Sequence, residues 1–566
     1  MVGKVVVSTL SVLLVVGVVI GVIVGIHSRS SSGSSNVQES PSMKAISSMC
    51  AHTDYKDVCS NSLEPVAQNA SATPKDFIQA AVKATIDEVK AALEKSGSFA
   101  NASDGSRDKM AVEDCKDLLQ SAVAELQASF SSVGDAQMHA LNDRADELKN
   151  WLSAVISYQQ SCIDGFDKPE FQKSASDGLF NATRLTSNAL ALVSEISEIL
   201  SAFNIPINMD LKASNSRRLL GGDIGMGENG FPTWMSAADR KLLAAGPQQV
   251  KPNAVVAKDG SGQYKTITAA LQAYPKNNKG RYVIYVKAGV YDEEVMVDKN
   301  MVNVFMYGDG PRKTIVTGRK SYTSGFSTFK TASFSAVGNG FIAKAMGFSN
   351  TAGPEGHQAV ALRVQSDMSA LYNCRMDGYQ DTLYTQAHRQ FYRNCVISGT
   401  VDFIFGDAAA VIQNSLLIVR KPMDNQQNAV TAQGRSDRRE TSGIVIHNCR
   451  IVPEQKLFPV RFKIPTYLGR PWKEFSRTVI MESTIGDFIQ PAGWMAWDGD
   501  FALNTLFFAE YANRGPGART DRRVKWRGYK VITNRNEAAQ FTAGPFINGN
   551  LWLRTTSFPY QLGFRA

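Results

Sequence analysis

The pattern of hydrophobic and polar positions changes at about residue 250. Before that point, apolar residues recur at the three- and four-residue spacing of an α-helix in four segments: FIQAAVKATIDEVKAAL, CKDLLQSAVAEL, DELKNWLSAVISYQQSCI and LTSNALALVSEISEIL. After it, short runs rich in Val, Ile, Phe and Tyr alternate with Gly, Asn and Asp, as strands alternate with turns. The pattern predicts an all-α four-helix bundle over 44–204, a linker over 205–250 and an all-β domain over 251–566.

Asparagine recurs in the β-rich part at a period of about 21 residues. The dipeptide Asn-Cys at Asn373 returns at Asn394, with Asn350 23 residues before the first and Asn414 20 residues after the second. A period of this length amid β-rich runs predicts a parallel β-solenoid. Because open strand edges promote aggregation, the end of the solenoid needs a cover, and the segment TITAALQAY is predicted to be a short capping helix.

Two aspartates share the same period. Asp381 and Asp402 are 21 residues apart, and Gln358 and Gln380 are 22 apart. Coils of a solenoid stack about 4.8 Å apart, so the repeat predicts that the two carboxylates nearly touch, with the two amides beside them. Two carboxylates that close cannot both ionise cheaply, which makes one an acid and the other a nucleophile or base. The alternative is that both aspartates cap β-turns; their apolar and aromatic settings, GYQDTLY and GTVDFIFG, favour chemistry.

Charge is divided unevenly along the 566 residues. Residues 1–246 carry 21 Lys and Arg against 28 Asp and Glu, whereas residues 247–566 carry 40 against 24. A basic C-terminal half indicates an anionic partner. Nucleic acid is disfavoured, because the chain has no zinc-finger spacing and no aromatic RNA-binding motif. The remaining candidate partners are an acidic polysaccharide and the acidic N-terminal half of the same chain.

The N-terminal segment 1–29 is a targeting sequence. Lys4 precedes a hydrophobic stretch over residues 5–26, and His27 and Arg29 follow it. The stretch is either a cleaved signal peptide or a signal-anchor helix; its length and the absence of an A-x-A site favour the anchor, which would be the chain's one membrane contact. Both alternatives send the chain into the secretory pathway. The Asn-x-Ser/Thr sequons at Asn69, Asn101 and Asn181 agree with glycosylation there.

Seven cysteines fit this oxidising compartment. In the helical part, Cys50–Cys59 would close a short loop and Cys115–Cys162 would join two helices, the alternative being free core thiols. In the β-rich part, Cys374 and Cys395 are one coil apart and are predicted to lie within disulfide reach, whereas Cys449 has no obvious partner.

The linker contains two copies of one basic pattern. RRLL occupies residues 217–220 and RKLL occupies residues 240–243, in sequence rich in Gly and small residues. Exposed dibasic pairs between two domains are plausible protease sites, although a single pair is most often a solvated charge cluster. The repetition favours processing.

The helical part resembles the plant invertase and pectin methylesterase inhibitor family, which has an N-terminal cysteine pair about nine residues apart and a second pair joining bundle helices. From about Pro252 to Phe564 the chain resembles plant pectin methylesterase. The motifs that carry this resemblance are GSGQYKTI, YVIYVKAGVY, GDG, GHQAVALRV, GYQDTLY, GTVDFIFG, TYLGRPW and PAGWMAWDG, in that order. The resemblance implies a right-handed parallel β-helix and an aspartyl esterase that needs no cofactor.

The resemblance also implies a role for each site residue. Asp402 matches the nucleophile and Asp381 the general acid and base, while Gln358 and Gln380 match the oxyanion donors and Arg470 the partner of the nucleophile. For substrate binding, the resemblance assigns Thr328 in GFSTF and Trp472 in LGRPW, and Tyr384 is an aromatic that can stack on a sugar.

The resemblance implies that the chain removes methyl esters from galacturonate in pectin, in the cell wall. Its N-terminal domain would silence the enzyme until a subtilisin-like protease cuts the linker, and separate inhibitors of the same helical family are further expected partners. A pectin depolymerase would also use paired carboxylates, but the G-H-G and R-I-K signatures of polygalacturonases are absent. A calcium-dependent lyase would need an acidic metal-binding cluster near a basic residue, and the sequence shows no such cluster. A role of the chain solely as an inhibitor or binding protein, through its helical part, would not explain the complete set of catalytic residues.

Overall fold

The structure is a computed structural model that describes residues 41–69, 71–100, 105–202, 251–278 and 280–564. These residues form two compact units. The first takes in the described residues of Met1–Phe99, Lys116–Gln159 and Lys173–Gly222. The second takes in those of Ala100–Cys115, Gln160–Gln172 and Asp223–Ala566.

Residues 41–202 are helical, as the apolar spacing predicts. The helices are α1 Pro41–Cys50, α2 Lys56–Ala67, α3 Pro74–Lys95, α4 Ser106–Asp135, α5 Ala145–Asp164, α6 Pro169–Gly178, α7 Phe180–Ser194 and α8 Ile196–Ala202. The four predicted segments fall within α3, α4, α5 and the pair α7–α8. Helix α3 begins with a capping box, in which the Thr73 hydroxyl accepts from the Asp76 amide and the Asp76 carboxylate accepts from the Thr73 amide.

Both disulfides predicted in the helical part are present. Cys50 is bonded to Cys59 with a Cα–Cα distance of 5.8 Å, and Cys115 to Cys162 with a Cα–Cα distance of 4.3 Å. The second bond joins α4 to α5 across 47 residues of sequence. In a chain-entropy account, a loop of that length stabilises the fold by about 4 kcal/mol.

Three parallel sheets make up the β-rich part, and each strand pairs with strands one coil away, as in a parallel β-helix. The 11-stranded sheet contains β1 Ala254–Val256, β2 Tyr282–Val286, β5 Val304–Gly308, β8 Ile342–Lys344, β11 Ser369–Tyr372, β14 Arg389–Arg393, β17 Ala409–Gln413, β20 Gly443–His447, β23 Arg477–Met481, β25 Phe507–Tyr511 and β26 Tyr529–Val531. The seven-stranded sheet contains β4 Val295–Val297, β7 Phe334–Ala336, β10 Leu362–Val364, β13 Leu383–Thr385, β16 Ile404–Gly406, β19 Asn428–Gln433 and β22 Thr466–Pro471. The eight-stranded sheet contains β3 Gly289–Asp292, β6 Thr314–Gly318, β9 Gly347–Asn350, β12 Arg375–Asp377, β15 Val396–Gly399, β18 Leu416–Val419, β21 Arg450–Pro453 and β24 Thr484–Ile485.

The recurring asparagine marks one turn of each coil. Asn373, Asn394 and Asn414 have φ angles of 52°, 53° and 52°, in the left-handed region that asparagine tolerates better than most residues. Asn350 does not belong to this series, contrary to the sequence pattern. It ends β9, where its buried side-chain amide donates to three backbone carbonyls, and Ala345 takes the left-handed turn of that coil with φ 55°.

The predicted Cys374–Cys395 disulfide is wrong, because both residues are buried free thiols, as is Cys449. The two cysteines lie at matching positions of neighbouring coils, between the paired residues of β11–β14 and β12–β15. Side chains at matching positions of parallel strands point the same way rather than toward each other. The thiols contact backbone carbonyls instead: Cys374 Sγ lies 3.5 Å from Tyr372 O and Cys395 Sγ lies 3.4 Å from Arg393 O.

Short helices cover the β-helix. Helix α9 Ile267–Gln272 confirms the predicted capping helix; the Thr266 hydroxyl caps it, and it packs against β1 and β4, the edge strands of two sheets. Three further short helices, α10 Arg535–Ala539, α11 Ala543–Phe546 and α12 Gly549–Trp552, were not predicted. Their apolar residues, such as Ala538, Ala543 and Trp552, pack with the 11-stranded sheet, so that sheet is buried on its outer face too.

Several predictions fall on the rest of the chain. Residues 5–26, the two basic linker sites and Asn101 lie outside the described residues, whereas Asn69 and Asn181 are exposed. Within the described ranges, no helix is long and apolar enough to span a membrane.

A buried carboxyl pair, Asp407 and Glu440, lies beside β16. Asp407 is 7% exposed and Glu440 is 1% exposed. Burial raises the pKa of Asp407 to about 6, and burial together with Asp407 raises the pKa of Glu440 well above its usual value. The buried Arg435 guanidinium opposes the shift in Asp407, whereas Asp437 raises the pKa of Glu440 further. The pair is therefore most stable with at least one carboxyl protonated.

We expect Glu440→Gln to flatten the dependence of stability on pH. A folded pKa raised above its unfolded value contributes stability below about pH 4, which is lost as the pH rises through about 6. Glutamine cannot ionise and supplies a permanent N–H donor in place of the protonated carboxyl, so the loss of stability with rising pH should shrink. Melting temperatures at pH 4.5 and pH 7 measure it, with the exposed Glu474→Gln as the control. An unchanged difference between the two pH values would contradict the coupling.

Candidate active site

Asp381 and Asp402 occupy matching positions on adjacent coils, as the repeat predicts. Asp381 precedes β13 and Asp402 precedes β16, two strands that pair with Leu383 opposite Ile404. The Asp381 amide donates to Val401 O at 3.1 Å. Both aspartates have left-handed backbones, with φ angles of 62° and 50°. A non-glycine residue in this region costs of order 1 kcal/mol, and such strain is concentrated at functional sites.

Arg470 binds the Asp402 carboxylate through two hydrogen bonds. Its Nε donates to Oδ1 at 2.8 Å and its Nη2 donates to Oδ2 at 2.6 Å. Arg470 lies on β22, two strands from β16, and the register places Phe405, Ala432 and Arg470 in one row across the sheet. A bidentate arginine fixes both the orientation and the charge of a carboxylate.

The two carboxyls differ in the charge that their surroundings favour. Burial raises the pKa of Asp402, but the hydrogen bonds and charge of Arg470 oppose that effect. Burial raises the pKa of Asp381 well above its usual value; the charge of Asp402 raises it further, and Arg470 only partly offsets this. The arrangement therefore favours an ionised Asp402 beside a protonated Asp381.

Gln358 and Gln380 lie next to the carboxyls. The two residues face each other across a parallel bridge between neighbouring coils, and the Ala359 amide donates to Gln380 O at 3.3 Å. Both side chains are half-buried. Gln380 directly precedes Asp381, so the bridge lies one residue before the Asp381 position along the chain.

Aromatic residues form a continuous surface on the outer face of the seven-stranded sheet; we call Phe329, Tyr384, Phe405 and Trp472 the aromatic surface. The Tyr384 and Phe405 rings stack with centroids 4.4 Å apart, and Trp472 meets Phe405 edge-on at 6.0 Å. Phe329 packs against the same cluster and follows Thr328 in a 3₁₀ turn, Thr328–Thr331. Such rings can stack on the apolar faces of sugars.

Two residues of this region were not singled out from the sequence. The Trp497 ring lies 4.3 Å from the Arg470 guanidinium, and Trp497 belongs to the motif PAGWMAWDG. Arg363 is 2% exposed, stacks 3.7 Å from Phe329 and donates to Gln386 Oε1. The motif GHQAVALRV places this arginine amid apolar residues; its partners are Gln365 on the same coil and Phe329, Ser335 and Gln386 on other coils.

Family comparisons agree with this geometry. Residues 253–550 match the family described as pectinesterase, and residues 44–192 match the plant invertase/pectin methylesterase inhibitor family. The chain belongs to the pectinesterase family. It is therefore a carboxylic ester hydrolase whose helical part is of the inhibitor family. It is 44% identical to the putative pectinesterase/pectinesterase inhibitor 28 of Arabidopsis thaliana over 99% of this chain and 75% of that protein.

Two further relatives bear on the pectinesterase assignment. Pectinesterase 1 of Citrus sinensis is 44% identical over 95% of this chain and 91% of that protein. The solved structure of pectin methylesterase from carrot is 53% identical, with a TM-score of 0.56, and covers 56% of this chain and 100% of its own. The similarity thus takes in the whole of that carrot chain and about half of this pectinesterase.

Proposed function

We propose that this pectinesterase hydrolyses the methyl esters of galacturonate in pectin to the free acid and methanol, through an acyl-enzyme on Asp402. The observation that carries the proposal is the position of Asp402, which accepts two hydrogen bonds from Arg470, next to Asp381, whose pKa is raised by burial and by the Asp402 charge. A nucleophile and a proton donor side by side are what ester cleavage requires.

In the first step, an oxygen of Asp402 attacks the ester carbonyl carbon and forms a tetrahedral oxyanion. The side-chain amides of Gln358 and Gln380 donate hydrogen bonds to that oxygen; one such donor is typically worth about 10²–10³ in rate. As the intermediate collapses, the bond to the methoxy group breaks and Asp381 gives its proton to the departing oxygen. The products of this step are methanol and an anhydride between Asp402 and the galacturonate carboxyl.

In the second step, Asp381 accepts a proton from water, and the hydroxide attacks the anhydride carbonyl. The bond to Asp402 breaks, which releases free galacturonate and restores the ionised nucleophile beside a protonated Asp381. The aromatic surface and Thr328 would hold the sugar chain during both steps. Arg470 remains protonated throughout and stabilises Asp402 whenever that carboxylate is free.

The helical part would keep the enzyme silent until the linker is cut. The two RRLL and RKLL sites at 217–220 and 240–243 are the expected targets of a subtilisin-like protease. Separate inhibitors of the same helical family would act on the cut enzyme in the cell wall. What supports this is the match of residues 44–192 to the inhibitor family ahead of an intact catalytic site.

Methanol release tests both proposals at once. We expect the full chain, cut in the linker at an introduced protease site, to release methanol from highly methylated pectin without shortening the polymer. The uncut chain should be slower by about tenfold or more, the effect of roughly 1.4 kcal/mol of competing contacts. Shortened chains would indicate a glycosidase and contradict the esterase; equal rates from cut and uncut chains would contradict silencing.

A further inference from the structure

An aspartate from helix α4 is buried against the β-helix within the second unit. That unit contains Ala100–Cys115 as well as the β-rich part. The Asp114 side chain is 4% exposed. Its Oδ2 accepts a hydrogen bond from Ser327 Oγ at 2.6 Å, and its Oδ1 lies 3.1 Å from Lys330 Nζ. A carboxylate is thus enclosed by a hydroxyl donor and an ammonium group.

A second aspartate makes a similar contact from the end of helix α5, in Gln160–Gln172 of the same unit. Lys473 Nζ donates to Asp164 Oδ1 at 2.6 Å, and both side chains are about one-fifth exposed. Nearby, Ser161 Oγ lies 3.2 Å from the Tyr384 hydroxyl. Since Tyr384 belongs to the aromatic surface, this segment lies directly on that surface.

The two lysines lie at opposite ends of the aromatic surface. Lys330 Nζ is 5.9 Å from the Phe329 ring centroid, and Lys473 Nζ is 5.3 Å from the Trp472 ring centroid. Lys330 lies shortly before β7 and Lys473 shortly after β22, and four strands of the sheet separate β7 from β22, so the two lysines come from different coils. A polymer lying across the coils would therefore reach both lysines with several of its sugars.

We propose that Ser327 with Lys330, and Lys473, are two subsites for the free carboxylates of unesterified galacturonates in the pectin chain. In the uncut chain, Asp114 and Asp164 occupy these subsites as carboxylate stand-ins. The proposal rests on the proposed function, because it concerns the polymer that the same site acts on. It adds which sugars the enzyme recognises on either side of the ester it cleaves.

The chemistry of the two subsites selects an acid over an ester. A free carboxylate offers full negative charge to the lysine and an acceptor to the Ser327 hydroxyl, as Asp114 does. A methyl ester has no charge, so it cannot form the charge-assisted hydrogen bond to the lysine, which is worth about 1.5–3 kcal/mol. Burial raises the pKa of Asp114, whereas Lys330, Ser327 and Arg363 oppose that shift and favour a charged carboxylate at this position. The enzyme should consequently hold a chain best where some esters have already been removed.

This selectivity predicts how the products are arranged. Each turnover creates one new carboxylate, which can move into a flanking subsite when the chain shifts. Ester removal next to existing acids is then favoured, and free galacturonates accumulate in blocks. The positive charge of residues 247–566 supports the same outcome but does not by itself distinguish one sugar position from another.

The first test uses the linker-cut enzyme with Lys330→Met and Lys473→Met, singly and together. We expect the KM for half-methylated pectin to rise about tenfold in the double variant, or about 1.4 kcal/mol. The KM for fully methylated pectin should change less than about twofold, and kcat on both should stay within the same range. Lys299→Met, which removes an exposed lysine of the same part of the chain, is the matched control. An equal rise in KM on both pectins, or none on either, would overturn the subsites.

The second test uses the uncut chain with Asp114→Asn and Asp164→Asn. Asparagine keeps the shape of each side chain and removes its charge, so the double variant should release methanol several-fold faster than the uncut wild type. Asp87→Asn on α3 removes an exposed carboxylate of the first unit as the control. Melting temperature verifies that the variants fold. A double variant as slow as the uncut wild type would overturn the role of the two aspartates as stand-ins.

Failure of the proposed function gives a different result. If the cut wild-type enzyme releases no methanol, the esterase proposal fails before any subsite is tested. If cut and uncut wild types are equally fast, silencing fails, and the KM ratio between the two pectins alone decides the subsites. If both wild types behave as proposed and only the variants do not, the subsite assignment is wrong.

Discussion

Asp402→Asn should lower the rate of methanol release by about 10⁴-fold or more, the usual cost of losing a catalytic nucleophile or its immediate partner. Asparagine fits the same space and can still accept one hydrogen bond from Arg470, but its amide cannot form the anhydride. The left-handed backbone at this position, φ 50°, tolerates asparagine as well as aspartate. The variant should therefore fold, and the loss should appear in kcat rather than in KM.

The matched control is Asp424→Asn, which removes a carboxylate whose side chain is 93% exposed. Methanol release by the cut enzyme, measured with melting temperature alongside, separates loss of chemistry from loss of fold. A second readout is trapping: if Asp402 is the nucleophile, wild-type enzyme quenched during turnover should carry a base-labile galacturonate on the peptide containing residue 402, and the variant should not. Substantial activity in a folded Asp402→Asn variant would contradict the assignment of Asp402 as the nucleophile and would indicate a structural role for the two aspartates.

The repeat in the sequence was sufficient to predict that Asp381 and Asp402 lie next to each other. The spacing of 21 residues between Asp381 and Asp402 equals one coil, and the structure pairs Leu383 with Ile404 in that register. A period fixes which residues share a position on adjacent coils, because every coil repeats the same sequence of strands and turns. It could not supply Arg470, which is 68 residues from Asp402 and enters the site through β22, two strands away. Only the resemblance carried by LGRPW pointed to that residue.

The errors have a physical cause as well. Cys374 and Cys395 lie at matching positions of neighbouring coils, as the period predicts, but side chains at matching positions point the same way, so neither thiol is directed at the other. Asn350 fits the spacing, yet its amide is used to satisfy buried carbonyls rather than a turn. Trp497 and Arg363 lie within two of the motifs that carry the resemblance, but the period of the repeat does not show that they contact Arg470 and Phe329. In each case the missing information is a contact between coils.

Arg470→Ala should lower kcat/KM by about 10²–10³-fold at mildly acid pH, since removing one partner of a buried ion pair costs about 3–5 kcal/mol. Asp402 must be ionised to attack. Burial raises the pKa of Asp402 and Arg470 opposes that shift, so without the arginine the pKa rises further. The acid limb of the pH–rate profile should then move to higher pH, and part of the activity should return as the pH increases.

Arg470→Lys is the graded variant. Lysine keeps the positive charge but cannot reproduce the two parallel hydrogen bonds at 2.8 and 2.6 Å, nor the guanidinium face that meets Trp497 at 4.3 Å. Its acid limb should lie between those of the wild type and Arg470→Ala. In an Asp402→Asn background, Arg470→Ala should cost little more, because the arginine acts on the rate through that carboxylate. If the rate falls equally at every pH and the acid limb does not move, Arg470 orients Asp402 without controlling its charge, and the electrostatic part of the mechanism is wrong.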